Sequence, residues 1–373
     1  MKIRKHIFRP LIQGYILFLS AFLPLGCHLE GSAHAGVETA AEVLPSTSRE
    51  IRILTINVWS GLTYRGFFKM RQYPNDSERR FELLLTEIRK IQPDVIAIQE
   101  ANMLPSYAQV LAKKLNYQVI YRVALGGIRF GSLGIPTNLR EGGVLLIRRP
   151  WSIVDLGRKR LGGNGVATNW FCFHFGDITQ AILGQAEVNG KRLYLYAVHL
   201  HSGPFQGRAL ERAVNRMARE MSREKIEEAM KDVDRTIKRR RQEIATLKEF
   251  IDATLPLEMP AVLLGDFNTT VESGELHSLL ADGKWVDSYR LKNPEDEGAT
   301  WDPLRNPNVR RAGIPTSASG ILRAYHEEVP SRIDFVFVNN IPRENILESR
   351  VVLTPENGFC PSDHYGVLTV LKW

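Results

Sequence analysis

The sequence predicts a layered α/β sandwich built on mixed β-sheets. Short apolar runs of strand length alternate with helical stretches from Ile51 onward, and most runs are rich in β-branched residues and bounded by Gly, Pro, Asn or Asp. Some neighbouring runs are joined by links too short for a crossover, which favours mixed sheets over a purely parallel, doubly wound one. The composition suits such a fold, since 44% of the 373 residues are hydrophobic and 24% charged, too apolar for a disordered chain.

The first 35 residues stand outside that pattern. Lys2, Arg4, Lys5 and Arg9 precede an apolar stretch from Leu11 to Leu25, and Ala33-His34-Ala35 offers small residues at a cleavage site. This is the layout of a secretory signal peptide, so an exported protein, secreted or periplasmic, is expected. An N-terminal membrane anchor fits less well, because Gln13, Gly14 and Pro24 interrupt a short run. Leu25-Gly26-Cys27 is an alternative lipoprotein processing site, with Pro24 where Leu is usual. Without residues 1–35 the net charge of +8 falls to +5, a modest excess that suits an anionic substrate but does not by itself demand nucleic acid. Cys172 and Cys360 then remain, too far apart in sequence for a zinc motif and free to pair in an oxidising compartment.

Residues 36–50 read as a linker, and the domain is expected over 51–373. Its strand candidates are Ile51–Val58, Asp94–Gln99, Tyr117–Tyr121, Gly143–Ile147, Arg192–His199, Ala261–Leu264, Ile333–Val338 and Val367–Leu371. Phe81–Ile91 has helical spacing and leads through Pro93 into a strand. Residues 180–188 and 191–199 flank Asn189-Gly190, a hairpin signal. From Arg208 to about Phe250 the chain is dense in Arg, Lys and Glu. Apolar residues recur every three or four positions with a phase slip near Arg223, which predicts one long helix or a helical hairpin. Its Lys238-Arg239-Arg240-Arg241 run could face nucleic acid, but the interleaved acids favour a solvated helix face. Leu291–Ser331 reads as a long, Pro-rich and irregular loop.

Six strand-like segments end in polar residues suited to chemistry: around Asn57, Gln99-Glu100, His199-Leu200-His201, Asp266-Phe267-Asn268, Asp334 and Asp363-His364. Ligand sites in α/β folds sit where strands end. One Asp after a buried strand is usually a turn or cap, and one His beside an apolar run usually structural. Six together point to phosphoester hydrolysis. Glu100 and Asn57 offer the hard oxygen ligands that Mg²⁺ prefers, with Mn²⁺ as a substitute. Asp266 is placed to orient the attacking water and Asn268 to donate to the phosphoryl oxygens. Two imidazoles would stabilise the growing charge, His364 being held by Asp334.

In order and local sequence these segments resemble the endonuclease/exonuclease/phosphatase family, which includes DNase I-like nucleases, inositol phosphatases and neutral sphingomyelinases. Gly265-Asp266-Phe267-Asn268 with Ser362-Asp363-His364 carries the resemblance. It implies a four-layer α/β/β/α sandwich with two mixed sheets. It also implies Asn57 and Glu100 as metal ligands, His199 as the phosphate-binding or leaving-group histidine, and Asp266 with Asn268 as the water-orienting and phosphate-binding pair. Asp334 becomes the partner of His364, and Asp363 a further metal or structural carboxylate.

Thr300-Trp301-Asp302-Pro303 with Asn306 resembles a segment of the bacterial sphingomyelinase branch, so a phospholipid is favoured over nucleic acid, with membrane-surface contact and a monomeric enzyme expected. A nuclease or an inositol polyphosphate phosphatase is the alternative, and a non-catalytic binding module on the same fold is a third reading. No continuous apolar hairpin for docking to a membrane is evident. Leu125–Ile135 comes nearest, and it equally reads as a Gly-rich loop beside the site.

Overall fold

The computed structural model describes residues 50–373 apart from 61, 64–67, 73–76, 175, 310–314 and 357. The signal and lipoprotein readings of residues 1–35 and the linker to residue 49 therefore lie outside the described residues.

Two six-stranded sheets pack face to face. The first runs, edge to edge, Ile346–Val352, Gly366–Lys372, Glu50–Asn57, Val95–Ala101, Glu141–Arg148 and Tyr117–Leu125. The second runs Val286–Asp287, Asp334–Asn339, Ala261–Asp266, Lys191–His199, Thr179–Val188 and Ser152–Gly162. Each sheet is antiparallel except for one central pair: Glu50–Asn57 with Val95–Ala101, and Lys191–His199 with Ala261–Asp266. Both sheets are therefore mixed.

Strand alternation builds the layers. Ile51 and Ile53 point between the sheets and meet Leu195 and Val262, whereas Leu54 and Ile56 point outward toward helices. Helices Ser77–Ile91 and Ser106–Leu115 cover that outer face with Leu84, Leu85, Ile88 and Leu111. On the second sheet Leu193 and Leu195 face inward, while Tyr194 and Tyr196 pack under Ile244, Leu247 and Ile251. The result is the four-layer α/β/β/α sandwich. Asn189 (φ 52°) and Gly190 (φ 76°) close the hairpin with the two left-handed residues of a type I′ turn.

The charged segment is a helical hairpin, Arg208–Glu220 and Arg223–Thr254, broken at Met221-Ser222 where the apolar phase slips. The second half of the longer helix covers the second sheet. Its first half packs with Arg208–Glu220 and with Ala318–His326, a helix inside the stretch expected to be irregular. Ser317 caps that helix by accepting from Gly320 N, a local hydrogen bond that outweighs the poor helix propensity of Ser319-Gly320. Strands Ser152–Gly162 and Ile346–Val352 were also not expected. Both lie on sheet edges, where exposed charged residues erase the apolar alternation. Cys172 and Cys360 are buried and both free, so the pairing left open above does not occur.

Gly265 allows the central pair of the second sheet to close. At φ 144° it lies where L side chains are strained, and a Cβ there would sit 2.0 Å from the Val198 carbonyl oxygen. Gly265→Ala is expected to destabilise the domain by about 2–3 kcal/mol or more, measured by urea unfolding. An unchanged midpoint would contradict this account of the strand pair.

Candidate active site

The two parallel pairs end at the same rim of the sandwich. Asn57 lies beside Gln99 in register, which puts Glu100 next to it, and His199 lies beside Asp266. Antiparallel neighbours bring their starting ends to the same rim, so Asp334 lies opposite Asp266 and His364 precedes the strand that pairs with Glu50–Asn57. Topology alone thus collects all eight predicted site residues.

Asp266 is the hub. Its Oδ2 accepts a 3.0 Å hydrogen bond from Asn57 Nδ2 and lies 3.6 Å from His199 Nε2 and 3.9 Å from His364 Nε2. Its Oδ1 accepts from Asn268 N at 2.9 Å, an Asx turn that holds Asn268 left-handed at φ 51°. Asn57 Nδ2 also donates to Glu100 Oε1 at 3.1 Å, and the Asn57 oxygen accepts from Trp59 N. Glu100 is itself left-handed at φ 55°, an uncommon conformation for Glu, and its carboxylate stays partly open to the cleft. Asn268 Nδ2 donates to Leu200 O, which ties the two central strand ends together.

Asp334 is fully buried, and its Oδ2 lies 2.9 Å from His364 Nδ1. The Thr300–Asn306 segment braces this pair. Thr300 Oγ1 accepts from Ile333 N and Asp334 N, Trp301 packs edge-on against the His364 ring with centroids 5.3 Å apart, and Asn306 donates to Ser362 O. Burial alone would lower the His364 pKa, but Asp334 and Asp266 outweigh it and hold it well above the ordinary value. His199 is raised in the same way, with Asp266 and Glu100 prevailing over burial.

The carboxylates crowd. Burial, then Glu100, pushes Asp363 up to about 7, and Glu141 is pushed to about 7 by the same two causes. A rim whose carboxylates resist ionising together is one where a divalent cation would replace the missing protons. The carboxylates of Glu100 and Asp363 are oxygen donors that fit a hard cation such as Mg²⁺, and Asn57, whose Nδ2 faces Glu100 while its oxygen takes Trp59 N, would join them with its amide turned over. A second cluster, Asp266, Asp334 and His364, also brings ligand atoms within 4.8 Å, but Asp334 and His364 already bond each other. The Glu100 side is thus the one whose oxygens could take a cation.

Sequence reasoning missed Glu141. It sits at the start of its strand, Glu141–Arg148, where no apolar run adjoins it. The paired glycines after it, Gly142-Gly143, were the available signal.

A family model for the Endonuclease/Exonuclease/phosphatase family matches residues 54–364. No curated protein matches the chain. The solved endonuclease/exonuclease/phosphatase from Bacteroides vulgatus superposes with a TM-score of 0.54 at 18% identity, covering 86% of this chain and 98% of that one. A family protein from Leptotrichia buccalis C-1013-b gives 0.53 at 17%, covering 87% and 100%. D. rerio TDP2 complexed with single strand DNA product gives 0.51 at 15%, covering 87% and 99%. At such identities the likeness shows the fold.

A raised His364 pKa means that its proton stabilises the folded state. That contribution is complete below about pH 6.5 and is lost as pH rises through the raised value. With EDTA present, the stability gap between wild type and His364→Gln is expected to be widest near about pH 6 and to shrink toward about pH 10. Urea unfolding across that range measures it, and a gap that widens with pH would refute the pairing.

Proposed function

Because the chain belongs to the endonuclease/exonuclease/phosphatase family, we propose that it hydrolyses a phosphodiester by in-line attack of water with the help of Mg²⁺. Members of the family typically act as hydrolases on phosphoester bonds. The observation that carries the reading is the convergence of Asn57, Glu100, His199, Asp266, Asn268, Asp334, Asp363 and His364 at one rim, around the buried Asp266 carboxylate.

Glu100 and Asn57, with Asp363 beside them, would hold the cation. Bound there, Mg²⁺, or Mn²⁺ in its place, supplies Lewis-acid neutralisation of the phosphoryl and leaving oxygens. Asp266 accepts a proton from the attacking water and aims it, and the second Nδ2 hydrogen of Asn268 donates to a phosphoryl oxygen. His364 donates from Nε2 while Nδ1 stays on Asp334, and its raised pKa keeps that proton in place. His199 serves the leaving oxygen.

A phospholipid is the substrate we favour. Three cavities meet at Glu100, and one of about 450 Å³ between the first two helices is walled by Phe81, Leu84, Tyr107 and Val110, a fit for an apolar ester arm. Leu125, which lines another, leads into a small sheet of strands Ile128–Phe130, Leu133–Ile135, Val166–Ala167 and Phe171–Phe173 that exposes Phe130, Leu133, Trp170 and Phe173. The Leu125–Ile135 stretch thus runs from a cavity wall into an exposed apolar hairpin, which suits contact with a membrane surface. The cations of the Lys238–Arg241 run are largely engaged within the chain, Arg239 with Asp177 and Glu243, Arg240 with Glu275, and Arg241 with Gln206, which weakens a nuclease reading. We also read residues 1–35 as the export signal of a protein that meets its substrate outside the cytoplasm.

Purified protein with Mg²⁺ is to be tested in parallel on sphingomyelin vesicles, plasmid DNA and a soluble inositol polyphosphate. Release of phosphocholine with intact plasmid is expected; nicked plasmid without lipid turnover would move the assignment to a nuclease. EDTA is expected to abolish turnover and added Mg²⁺ to restore it, and full activity in EDTA would remove the metal from the mechanism. His364→Ala is expected to lower kcat roughly 10²–10⁴-fold, with a smaller change in KM. Asp334→Asn should do similar damage, and the double variant little more than either alone.

A further inference from the structure

A second carboxylate–imidazole pair faces the same cleft. His201 Nδ1 lies 2.9 Å from Asp177 Oδ2, and both residues line a cavity of about 270 Å³ that also contains Glu100, Glu141 and His199. A carboxylate can only accept, so Nδ1 carries the hydrogen. Burial pushes the Asp177 carboxyl up, but the His201 hydrogen bond and the Arg239 guanidinium prevail and hold it well below the usual carboxylate range. In the neutral form of the ring Nε2 is then a bare lone pair, for which the described residues supply no hydrogen-bond partner.

One turn of the charged helix fixes this pair. Arg239 donates to both Asp177 oxygens, at 3.3 and 3.1 Å. Glu243, buried, accepts from His201 N at 2.9 Å and from Thr179 Oγ1 at 2.8 Å. Arg240 is completely buried and spends all five N–H groups. Two go to Glu275, and the other three to the carbonyls of His201, Gly203 and Pro204. Gly203 is pressed so close to the helix that a Cβ there would meet Thr236 Cγ2 at 3.0 Å. A loop that merely connected a strand to a helix would not need its backbone held at four points from one turn. A loop whose side chain must stand at a set position in a cleft does.

We propose that His201 is a substrate-binding residue whose Nε2 accepts a hydrogen bond from a hydroxyl on one ester arm, with Asp177, Arg239, Arg240 and Glu243 as its positioning residues. This rests on the phosphoester reading and narrows it to esters that carry a hydroxyl donor near the phosphate.

The test is binding of two product-like esters that differ chiefly in hydroxyl groups, glycerol 3-phosphate and propyl phosphate. Calorimetry on the full chain with Mg²⁺ at pH 8 gives both dissociation constants. Wild type is expected to prefer glycerol 3-phosphate by about 3- to 10-fold, the worth of one net hydrogen bond. His201→Ala should bring that ratio to about one while leaving the affinity for propyl phosphate unchanged. Asp177→Asn keeps the shape and the fold but can donate to Nδ1, which transfers the ring hydrogen to Nε2. It should also remove the preference, and ¹⁵N chemical shifts of the His201 ring should report the changed tautomer. An equal affinity of wild type for the two esters, a preference that survives His201→Ala, or an equal weakening of both esters would overturn the proposal. Failure of wild type to bind even propyl phosphate would instead bring down the phosphoester reading on which it rests.

Discussion

The hydrogen bond from Asn57 Nδ2 to Asp266 Oδ2 joins the two sheets at the one place where both present their strand ends. Asn57 ends a central strand of the first sheet, and Asp266 ends a central strand of the second. Burying a carboxylate as deeply as Asp266 is costly unless it is paired. Here the partners come from four separate elements: the Asn57 amide, the Asn268 backbone N–H and the rings of His199 and His364. The requirement works in both directions. The sandwich must bring these ends together to satisfy Asp266, and once satisfied, Asp266 fixes how far apart the sheet ends stand.

That constraint explains why so much of the site was legible in the sequence. The central strands are buried on both faces and almost purely apolar, as in Ala261–Leu264 and Ile53–Ile56, so a polar residue at the end of such a run stands out although it is itself buried. Asn57, Glu100, His199 and Asp266 could be found that way because the chain changes character at each of them, and Asp334 by the same change met in reverse, directly before the apolar Phe335–Val338. Glu141 and Asp177 escaped for a physical reason. Glu141 is separated from the apolar part of its strand by Gly142-Gly143, and Asp177 lies in the connection before Thr179, where a polar residue is unremarkable. The edge strands were hidden likewise, since Ser152–Gly162 presents Lys159 and Arg160 to solvent and loses its alternation.

The charged helix shows where composition stops being informative. Lys238-Arg239-Arg240-Arg241 reads as a solvated face or a polyanion-binding stripe, yet Arg240 is among the most buried side chains described. A guanidinium taken fully out of water loses more than a single ion pair returns, and its removal would strand the buried Glu275. Such an arrangement is a poor way to gain stability. It is a good way to gain geometry, because the planar guanidinium bonds a carboxylate on one side and three backbone carbonyls on the other in fixed directions. Nothing in the local sequence distinguishes Arg240 from its neighbours, since its partners lie 35 to 39 residues away.

The cavities around Glu100 bear on what the chemistry can select. The pocket between the helices is walled largely by aliphatic and aromatic side chains, while the one under Glu141, Asp177 and His201 is rich in hydrogen-bond acceptors. The third is lined by Asp266, Asn268 and His364 together with Trp301 and Phe205. In the proposed reaction a phosphorus atom there would have its attacking water on the Asp266 side and two ester oxygens leading outward. An ester with two apolar arms would leave the carboxylates of one pocket desolvated and unpaired, and an ester with two polar arms would gain nothing from Phe81 and Tyr107. Only a substrate whose arms differ in polarity uses both walls. The discrimination then comes from the penalty for misplacing either arm, which is how a cleft with the same reaction centre can favour one phosphodiester over another.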